Sequence, residues 1–279
     1  SGIVGLYDTA NSKFYTNAGS GTFTAGTVLD GKSFARKVKK AYVGVNGIAR
    51  VFFGGLELKY KGTATSLSTA RANLAGATVG NYAIFAGGAS SSYTDAYSSN
   101  LTRSTPTVLQ AKRNSLAGAS VGNYALFAGG VNGSTRLYDV DTYNSSLTKG
   151  PATSLTTAVS NLAGATVGNY ALLAGGRYNS SGDSTVVNYY NSSLTKGTAS
   201  YLTTAISSLG SATVGDYAIF AGGISGTTLS RKVDTYDKNL TKKTATELSV
   251  GRGQLAGTSV GNYALFKAYD SSAVYEVLN

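Results

Sequence analysis

The chain has 279 residues, of which 36 are glycine and 20 are tyrosine, and it contains no cysteine, histidine, methionine or tryptophan. These absences exclude disulfides, Cys/His zinc sites, haem ligation and catalytic triads that use histidine or cysteine. The net charge of +11 suits an anionic partner, but no nucleic-acid-binding motif accompanies it, so we do not expect a nucleic-acid partner.

Residues 1–55 do not repeat and predict a small N-terminal β-hairpin segment. Gly5–Asp8 and Lys13–Thr16 alternate polar and apolar residues around residues 9–12, which predicts a short hairpin. Asn46-Gly47, between Lys39–Val45 and Ile48–Phe52, predicts a second hairpin with a type I′ turn. Because no methionine opens the chain, we expect a processed product or part of a longer protein. No apolar run is long enough to cross a bilayer.

Residues 56–279 are organised by one repeated phrase. Leu-Ala-Gly-Ala-Thr-Val-Gly-Asn-Tyr-Ala begins at Leu74 and returns with small changes at Leu116, Leu162, Leu209 and Leu255. A period of this length with strand-like composition is typical of a β-propeller, in which each repeat forms one small sheet. The repeat therefore predicts an all-β domain over residues 56–279.

The third unit shows four predicted strands. Leu162–Val167 is a strand of small residues, Gly168-Asn169 is a two-residue turn, and Tyr170–Ala174 is an apolar strand. The third and fourth strands are predicted at Thr185–Tyr190 and Lys196–Leu202. Small residues in the first strand suit a crowded position near the axis of a propeller. Each unit is thus predicted to be a four-stranded blade.

Glycine doublets and basic residues recur in most units and admit two interpretations. The doublets end the second strands at Gly87-Gly88, Gly129-Gly130, Gly175-Gly176 and Gly222-Gly223. No helix pattern follows them, so a structural role is favoured over phosphate binding. A basic residue opens each predicted fourth strand, at Lys61, Arg103, Lys149, Lys196 and Lys242. These cations could form a crown for a sugar or phosphate, but protection of an exposed strand edge is favoured.

The two ends of the repeat region are complementary. The first copy of the fourth-strand pattern, Leu56–Leu67, precedes the first complete unit. The last unit supplies only three strands, from Leu255–Phe266 and Val274–Val277. The N-terminal copy is therefore predicted to be the outer strand of the last blade, which closes a ring of five four-stranded blades.

The repeats resemble a known family. An apolar strand ending in Gly-Gly, a loop, and then Asp-Thr-Tyr, as at Asp141–Tyr143 and Asp234–Tyr236, resembles the Kelch repeat. Arg71, Arg113 and Arg252 match the arginine of that repeat. Leucines stand where Kelch blades carry tryptophan, at Leu101, Leu147, Leu194 and Leu240. The resemblance covers residues 56–279 and implies a five-bladed, Kelch-like β-propeller.

The N-terminal segment resembles a second kind of protein. Gly5–Asp8, Phe14–Ala18, Gly21–Gly26 and Val38–Arg50 are similar to linker modules in tail and minor structural proteins of phages and prophages of Gram-positive bacteria. Such modules precede a distal recognition domain. The resemblance implies a virion tail or an extracellular location, and it makes the N-terminal segment a candidate for self-association.

The residues that do not repeat are the candidates for function. Unlike loops after the Gly-Gly doublets carry side chains that stack on and hydrogen-bond to sugars. The candidate ligand contacts are Tyr93, Asn132, Arg136, Arg177, Tyr178, Asn179, Asp183 and Arg231. We expect a non-enzymatic binding module that contacts a bacterial surface glycan or protein, without catalytic residues, metal or cofactor.

Two alternatives remain open. The chain could be an architectural part that packs against other tail or particle subunits without a ligand of its own. It could also be an enzyme, but a glycosidase needs paired carboxylates, and only three glutamates and ten aspartates are present. Asp139, Asp141 and Asp234 fall at repeat-equivalent or adjacent positions, which indicates a structural role.

Overall fold

The computed structural model is all-β, with strands and no helix among the residues that it describes. It describes residues 63–268 in full and, outside that range, the backbone of six strands. The chain divides into two compact units, Ser1–Thr63 and Ala64–Asn279. Within the described residues, no helix has the length and apolar character needed to span a membrane.

The N-terminal unit contains two small antiparallel sheets. Strands β1 (Gly5–Asp8), β2 (Lys13–Thr16) and β3 (Thr22–Thr24) form one sheet, and β4 (Val51–Phe53) pairs with β5 (Leu56–Leu58). The pairing of β1 with β2 confirms the hairpin predicted around residues 9–12. The predicted Asn46-Gly47 turn lies outside the described residues.

The second unit contains five successive antiparallel sheets, which we call the first to the fifth sheet. The first sheet consists of β6 (Ala75–Val79), β7 (Tyr82–Ala86), β8 (Thr94–Ser98) and β9 (Arg103–Ser104). The second consists of β10 (Ala117–Val121), β11 (Tyr124–Ala128), β14 (Val140–Asn144) and β15 (Lys149–Pro151). Between β11 and β14 the chain forms the small hairpin of β12 (Val131–Asn132) and β13 (Thr135–Arg136).

The remaining sheets repeat this order. The third consists of β16 (Ala163–Val167), β17 (Tyr170–Ala174), β18 (Val187–Asn191) and β19 (Lys196–Thr198). The fourth consists of β20 (Gly210–Val214), β21 (Tyr217–Ala221), β24 (Val233–Asp237) and β25 (Lys242–Thr244), with the hairpin β22 (Ile224–Ser225) and β23 (Thr228–Leu229). The fifth consists of β26 (Ala256–Val260), β27 (Tyr263–Lys267) and β28 (Glu276–Leu278). This succession of small antiparallel sheets is β-propeller-like, as the repeats predict.

Each sheet begins with a tight hairpin built from the repeated phrase. In the first sheet Val79 pairs with Tyr82, so only Gly80-Asn81 connects the two strands. The turn glycine has φ between +51° and +57° in all five sheets. This left-handed conformation is readily available to glycine because it lacks a Cβ atom. The two-residue turns predicted from the sequence are therefore confirmed.

Small residues in the first strands allow neighbouring sheets to approach closely. A Cβ atom added to Gly118 would lie 2.2 Å from the carbonyl oxygen of Gly76 in the preceding sheet. At Gly164 the same atom would lie 2.3 Å from the carbonyl oxygen of Gly118. Both distances are shorter than any real Cβ contact, so the first strands are as crowded as the composition predicts.

Apolar side chains fill the space between neighbouring sheets. Val121 and Leu126 of the second sheet pack in one cluster with Leu173 and Tyr190 of the third, and all four are buried. Burying an aliphatic side chain of this size contributes about 1.5–3 kcal/mol to stability. The buried tyrosine also donates a hydrogen bond from its Oη to the carbonyl oxygen of Thr153, 2.5 Å away.

The fourth strands are shorter than predicted. The prediction extends the fourth strand of the third unit to Leu202, whereas β19 ends at Thr198. Beyond that residue the chain leaves the sheet edge, and the amide of Leu202 donates to the carbonyl oxygen of Thr185 at 2.8 Å. The repeated leucine belongs to a connection between sheets, which a strand assignment based on spacing does not distinguish.

The Gly-Gly doublets are required by packing. At Gly88, where φ is +94°, a Cβ atom would lie 2.7 Å from the carbonyl oxygen of Ala72. At Gly87 it would lie 2.7 Å from the carbonyl oxygen of Arg113. Each doublet thus passes beneath two connections between sheets. The amide of the second glycine donates to one of these connections, as Gly88 does to the carbonyl oxygen of Arg113 at 2.9 Å, and the amide of the first donates within its own loop, as Gly87 does to Tyr93 at 2.9 Å.

The first and fifth sheets each leave one face uncovered by described residues. Val260 of the fifth sheet is 54% exposed, whereas the equivalent Val121 and Val167 are 2% and 1% exposed. On the first sheet Phe85 is half-buried, whereas the equivalent Phe127 is fully buried. Within residues 63–268, the packing that joins successive sheets is therefore not repeated between these two faces.

A chain of backbone hydrogen bonds shows the same interruption. These bonds begin at Asn73, whose carbonyl oxygen accepts the amide of Ser115. The amide of Asn161 then donates to the carbonyl oxygen of Ser115, and the amide of Ser208 donates to that of Asn161. Among the described residues no such bond joins Asn73 to Gln254 in the fifth sheet. Of the strands that the structure describes, three form the fifth sheet, and β5 pairs with β4. Five-bladed closure through Leu56–Leu67 stays a prediction.

Candidate functional site: the loop face of the sheets

Antiparallel connectivity gives the sheets two different ends. The short turns between strands one and two, and between strands three and four, lie at one end, which we call the turn face. The loops that follow the Gly-Gly doublets lie at the other end, together with the connections between sheets. We call this end the loop face, and its loops are residues 87–93, 129–139, 175–186 and 222–232.

The loops are tied to the connections by backbone pairing. Val131 bridges to Asn114, Arg177 bridges to Ser160, and Ile224 bridges to Ser207. Each bridge joins a loop to the connection that leads into the same sheet. The loop face is therefore a framework of hydrogen-bonded backbone on which side chains differ from sheet to sheet.

All eight predicted contact residues lie on loops of this face. Tyr93 and Tyr178 are 49% and 46% exposed. Asn132, Asn179 and Arg231 are also exposed, Arg136 and Arg177 are half-buried, and Asp183 is buried. Among the described hydrogen bonds and ion pairs, one pair of the eight is joined directly, Arg177 with Asp183. Tyr178 and Asn179 belong to the same loop as that pair, Asn132 and Arg136 share the loop of the second sheet, and Tyr93 and Arg231 lie on the loops of the first and fourth sheets.

Arg177 and Asp183 lock the loops of the third and fourth sheets together. Arg177 donates from Nε and Nη2 to the two carboxylate oxygens of Asp183, at 2.9 and 3.2 Å. The same carboxylate accepts the amide of Gly226 from the next sheet at 2.8 Å, and Arg177 Nη2 donates to the Gly226 carbonyl oxygen at 3.2 Å. The buried carboxylate is thus occupied in joining two loops.

The electrostatics of this lock favour its charged state. Burial raises the pKa of Asp183, but hydrogen bonds from Arg177, the Gly226 amide and the Ser207 hydroxyl outweigh it, so the pKa lies below its ordinary value. The hydrogen bond to Asp183 in turn raises the pKa of Arg177. The pair remains ionised at neutral pH, and its two charges cancel.

Tyr178 is held with its ring against the backbone of its own loop. Its amide donates to the carbonyl oxygen of Gly182 at 3.0 Å. A Cβ atom added to Gly182 would lie 2.4 Å from Cζ of the Tyr178 ring, so the ring occupies the space that only a glycine leaves open. Asn179 Oδ1 accepts the amide of Ser181 at 2.9 Å and completes the turn. The exposed ring is therefore supported by an ordered loop.

Sequence reasoning missed further exposed rings of the loop face. Tyr138 is 54% exposed at the end of the loop of the second sheet, and Tyr201 is 58% exposed on the connection after the third sheet. The spacing of the repeats places Tyr201 in a fourth strand, whereas β19 ends at Thr198. Because the strand ends there, Tyr201 lies on the connection at the loop face.

The repeated arginines and aspartates are buried structural pairs. Arg71 Nη2 lies 2.7 Å from Asp95 Oδ2, and Arg113 Nη2 lies 2.5 Å from Asp141 Oδ2 in the next sheet. Each arginine lies on a connection and each aspartate on a third strand. These pairs fasten connections to sheets, in agreement with the structural role predicted for Asp141.

The basic residues that open the fourth strands contact third-strand aspartates or the connections between sheets. Lys149 Nζ lies 2.9 Å from Asp141 Oδ1, and Lys242 Nζ lies 3.1 Å from Asp234 Oδ1. Lys196 donates to the carbonyl oxygen of Ser154 at 2.8 Å. Lys61 lies outside the described residues. The described members do not form a free cationic crown. Arg103, Lys196 and Lys242 donate to carbonyl oxygens of the incoming connection, which is a role more specific than the edge protection favoured from the sequence, whereas Lys149 pairs with Asp141 of its own sheet.

A cavity of about 380 Å³ lies along the inner strands and extends over the open face of the first sheet, where Ala83 and Phe85 line it. Its hydroxyl groups are engaged between sheets: Ser120 Oγ donates to the Thr78 carbonyl oxygen at 2.7 Å, and Thr166 Oγ1 donates to that of Ser120 at 2.7 Å. Within residues 63–268 no cluster of three acidic side chains could hold a metal ion. The loop face is therefore the stronger candidate for binding.

Comparison with known proteins supports the fold alone. No protein-family model and no curated protein matches the sequence. The solved structure described as "Structure of YjhT" matches with a TM-score of 0.63 and 11% sequence identity. The match covers 73% of this chain and 74% of that chain. At this identity the likeness concerns backbone architecture and carries no activity or ligand.

Proposed function

We propose that the chain is a non-enzymatic binding module that recognises its partner through the loop face. The observation that carries this proposal is the contrast between a repeated frame and unrepeated exposed loops. Repeated residues such as Arg113 and Asp141 are buried and paired, whereas Tyr93, Tyr138 and Tyr178 are about half exposed on different loops. Exposed tyrosines on a rigid frame provide contact area at low entropic cost.

The biological setting is inferred from the N-terminal segment. Its resemblance to linkers of phage and prophage tail proteins supports a distal recognition domain on a virion tail or another extracellular particle. The partner in that setting is a glycan or protein on a bacterial surface. Cell-binding assays test this directly: the purified chain should sediment with Gram-positive cells, and a variant with Tyr93, Tyr138 and Tyr178 changed to alanine should not.

An architectural role is the second candidate, and one observation favours it. The open faces of the first and fifth sheets expose apolar residues, including Phe85 in part and Val260 to 54%. Other particle subunits could cover such faces. Mass photometry and pulldown with tail components separate the two roles, because cell binding that is absent while subunit binding persists would favour architecture.

Catalysis is not part of the proposal, because carboxylates of the second and fourth sheets are already engaged. Asp141 binds Arg113 and Lys149, and Asp234 binds Lys242. A glycosidase needs two carboxyl groups free to act as acid and as base or nucleophile. Release of reducing sugar from bacterial surface polysaccharide by the purified chain would contradict a purely binding role.

We also propose the finer architecture of a closed, five-bladed, Kelch-like propeller. Lys61-Gly62-Thr63 matches the fourth strands Lys149–Pro151 and Lys196–Thr198. The chain that follows it lies on the first sheet in the same way as later connections lie on theirs: Tyr97 Oη donates to the Thr65 carbonyl oxygen at 2.7 Å, as Tyr143 Oη donates to Thr107 at 2.6 Å. Residues 56–67 are therefore suited to complete the fifth sheet.

A further inference from the structure

The junction between the third and fourth sheets has its charges paired. Arg177 is neutralised by Asp183. Arg231 and Lys232 lie farther along the loop of the fourth sheet, beside the connection to the fifth sheet, where they share the single carboxylate of Glu247 and leave one positive charge. At the junction itself, an anionic polymer would have to displace Asp183 from Arg177. Despite the net charge of +11, this junction is therefore poorly suited to an anionic ligand.

The same junction offers an aromatic ring fixed for stacking. One side of Tyr178 lies against Gly182, and the side chain is 46% exposed. The loop beneath it is braced by the Asn179 turn and by the bond between Asp183 and Gly226. Ordering this ring on binding costs little, because the loop already holds it. A pyranose ring has an apolar C–H face that matches an exposed aromatic face.

We propose that the loop face binds an uncharged saccharide at this junction, with a sugar ring stacked on Tyr178. The inference rests on the proposed recognition function and names its ligand class and location. The sugar hydroxyls face the polar groups of the 177–183 loop, and the ion pair of Arg177 with Asp183 keeps the loop in its binding conformation. Selectivity comes from stacking and hydrogen bonds and not from net charge.

The test uses the full chain on a printed panel of neutral oligosaccharides, of hexose, deoxyhexose and N-acetylhexosamine units, beside lipoteichoic acid and hyaluronan. Binding to at least one neutral sugar is expected, and it should change little between 50 and 500 mM NaCl, concentrations chosen to move the screening length from roughly 14 to 4 Å. Tyr178→Ala should weaken that binding by about tenfold or more, the equivalent of 1.4 kcal/mol. Tyr178→Phe, which keeps the ring, should retain it.

Tyr217→Ala is the matched control, because Tyr217 is 43% exposed but follows a turn on the opposite face. It should bind as the unmodified chain does, and unfolding in urea confirms that each variant is folded. The proposal would be overturned if the chain preferred the anionic polymers and lost that binding at high salt. It would also be overturned if Tyr178→Ala left the binding to neutral sugars unchanged. Failure on every glycan also overturns it, and cell binding that persists would then show that the recognition function survives with a protein partner.

Discussion

Arg113 and Asp141 form an ion pair that solvent does not reach. The nearest atoms, Nη2 and Oδ2, are 2.5 Å apart, and both side chains are 0% exposed. Arg113 also donates to the carbonyl oxygens of Phe127 and Asp139, each at 3.2 Å. The pair thus fastens the connection between the first and second sheets to the body of the second sheet.

The other sheets show which replacements such a pair tolerates. In the third sheet Val159 and Asn188 stand at the two positions, so both charges are lost together. In the fourth sheet Ile206 replaces the arginine, and Asp234 retains Lys242 as its partner. A buried charge without a partner costs the most stability, and neither sheet contains one at these two positions.

Asp141→Ala should therefore destabilise the chain by about 3–5 kcal/mol, because it leaves the buried guanidinium without its carboxylate. Arg113→Val with Asp141→Asn, which copies the third sheet, should recover much of that loss. Urea unfolding followed by tyrosine fluorescence measures both. Lys238→Ala is the control, since that ion pair with Asp216 is exposed and its removal should not shift the midpoint. A double variant no more stable than Asp141→Ala would contradict the interpretation.

Acid should weaken the fold through Asp95 and Asp183. Burial raises the pKa of Asp95, but its bonds to Arg71 and Ser68 outweigh that effect, and both aspartates have pKa values below the ordinary value of 3.8. A carboxyl group whose pKa is lowered in the folded state stabilises the fold at pH values above its pKa in the unfolded chain. That stabilisation is lost as the pH falls through the pKa of the folded state. We expect the urea midpoint to fall from pH 5 to pH 2.

The contribution of the loop lock can be separated. Asp183→Asn should lower the midpoint at pH 7 and make it less dependent on pH below 4, because the side chain no longer takes up a proton on unfolding. An equal slope in the variant and in the unmodified chain would show that Asp183 does not contribute to acid sensitivity.

Alkali should act through a buried tyrosine. Burial raises the pKa of Tyr143 to about 12, from an ordinary value of 10.0. A raised pKa stabilises the fold below the unfolded pKa, and that contribution is lost as the pH rises from 10 through 12. The phenolate absorbance of the folded chain should therefore titrate late, and Tyr143→Phe should remove part of the late component. Titration of every tyrosine near pH 10 in the folded chain would contradict this burial.

The doublet glycines should not tolerate a side chain. Gly130 has φ of +104°, and a Cβ atom there would lie 2.8 Å from the Asn114 carbonyl oxygen. Gly133, three residues later, has φ of +59° and no atom within 4 Å of that position. Gly133→Ala should cost about 1–2 kcal/mol from backbone strain alone. Gly130→Ala should cost more, because the carbonyl group must also move, and equal thermal midpoints for the two variants would contradict this.

The sequence predicts the features that local chemistry determines. The Gly-Asn turns and the crowded first strands follow from residue type and spacing, and both are observed. The end of β19 could not be predicted, because Leu202 has strand-like spacing while its amide bonds to Thr185 on another element. The left-handed Leu147, with φ of +59°, is also unforeseen, because leucine seldom adopts this conformation. A turn closed by the hydrogen bond from the Leu147 amide to the carbonyl oxygen of Asn144 holds it, and the half-exposed Leu101 has the same conformation in the equivalent turn of the first sheet.

The candidate site was predictable only in part. Tyr93 and Tyr178 are recognisable in the sequence because they interrupt a repeated pattern. The engagement of Asp183 by Arg177 and Gly226 depends on how two loops meet, and spacing within one loop does not reveal it. Composition identifies residues available for binding, whereas the fold decides which of them are already occupied.

Closure of the ring can be tested with engineered disulfides, because the chain has no cysteine of its own. Thr78 and Ser120, at equivalent positions of the first two sheets, have their hydroxyl oxygens 3.3 Å apart. Thr78→Cys with Ser120→Cys should therefore oxidise readily and serves as the positive control. Ser259 is the equivalent residue of the fifth sheet.

In a closed five-bladed ring Ser259 adjoins Thr78, so Thr78→Cys with Ser259→Cys should form an intramolecular disulfide at dilute protein concentration. Thr78→Cys with Thr213→Cys, which places the second thiol in the fourth sheet, should not. Intact mass under non-reducing conditions and thiol counting report each result. If the 78–259 pair remains reduced while the 78–120 pair is oxidised, the first and fifth sheets do not meet, and the proposed five-bladed closure is wrong.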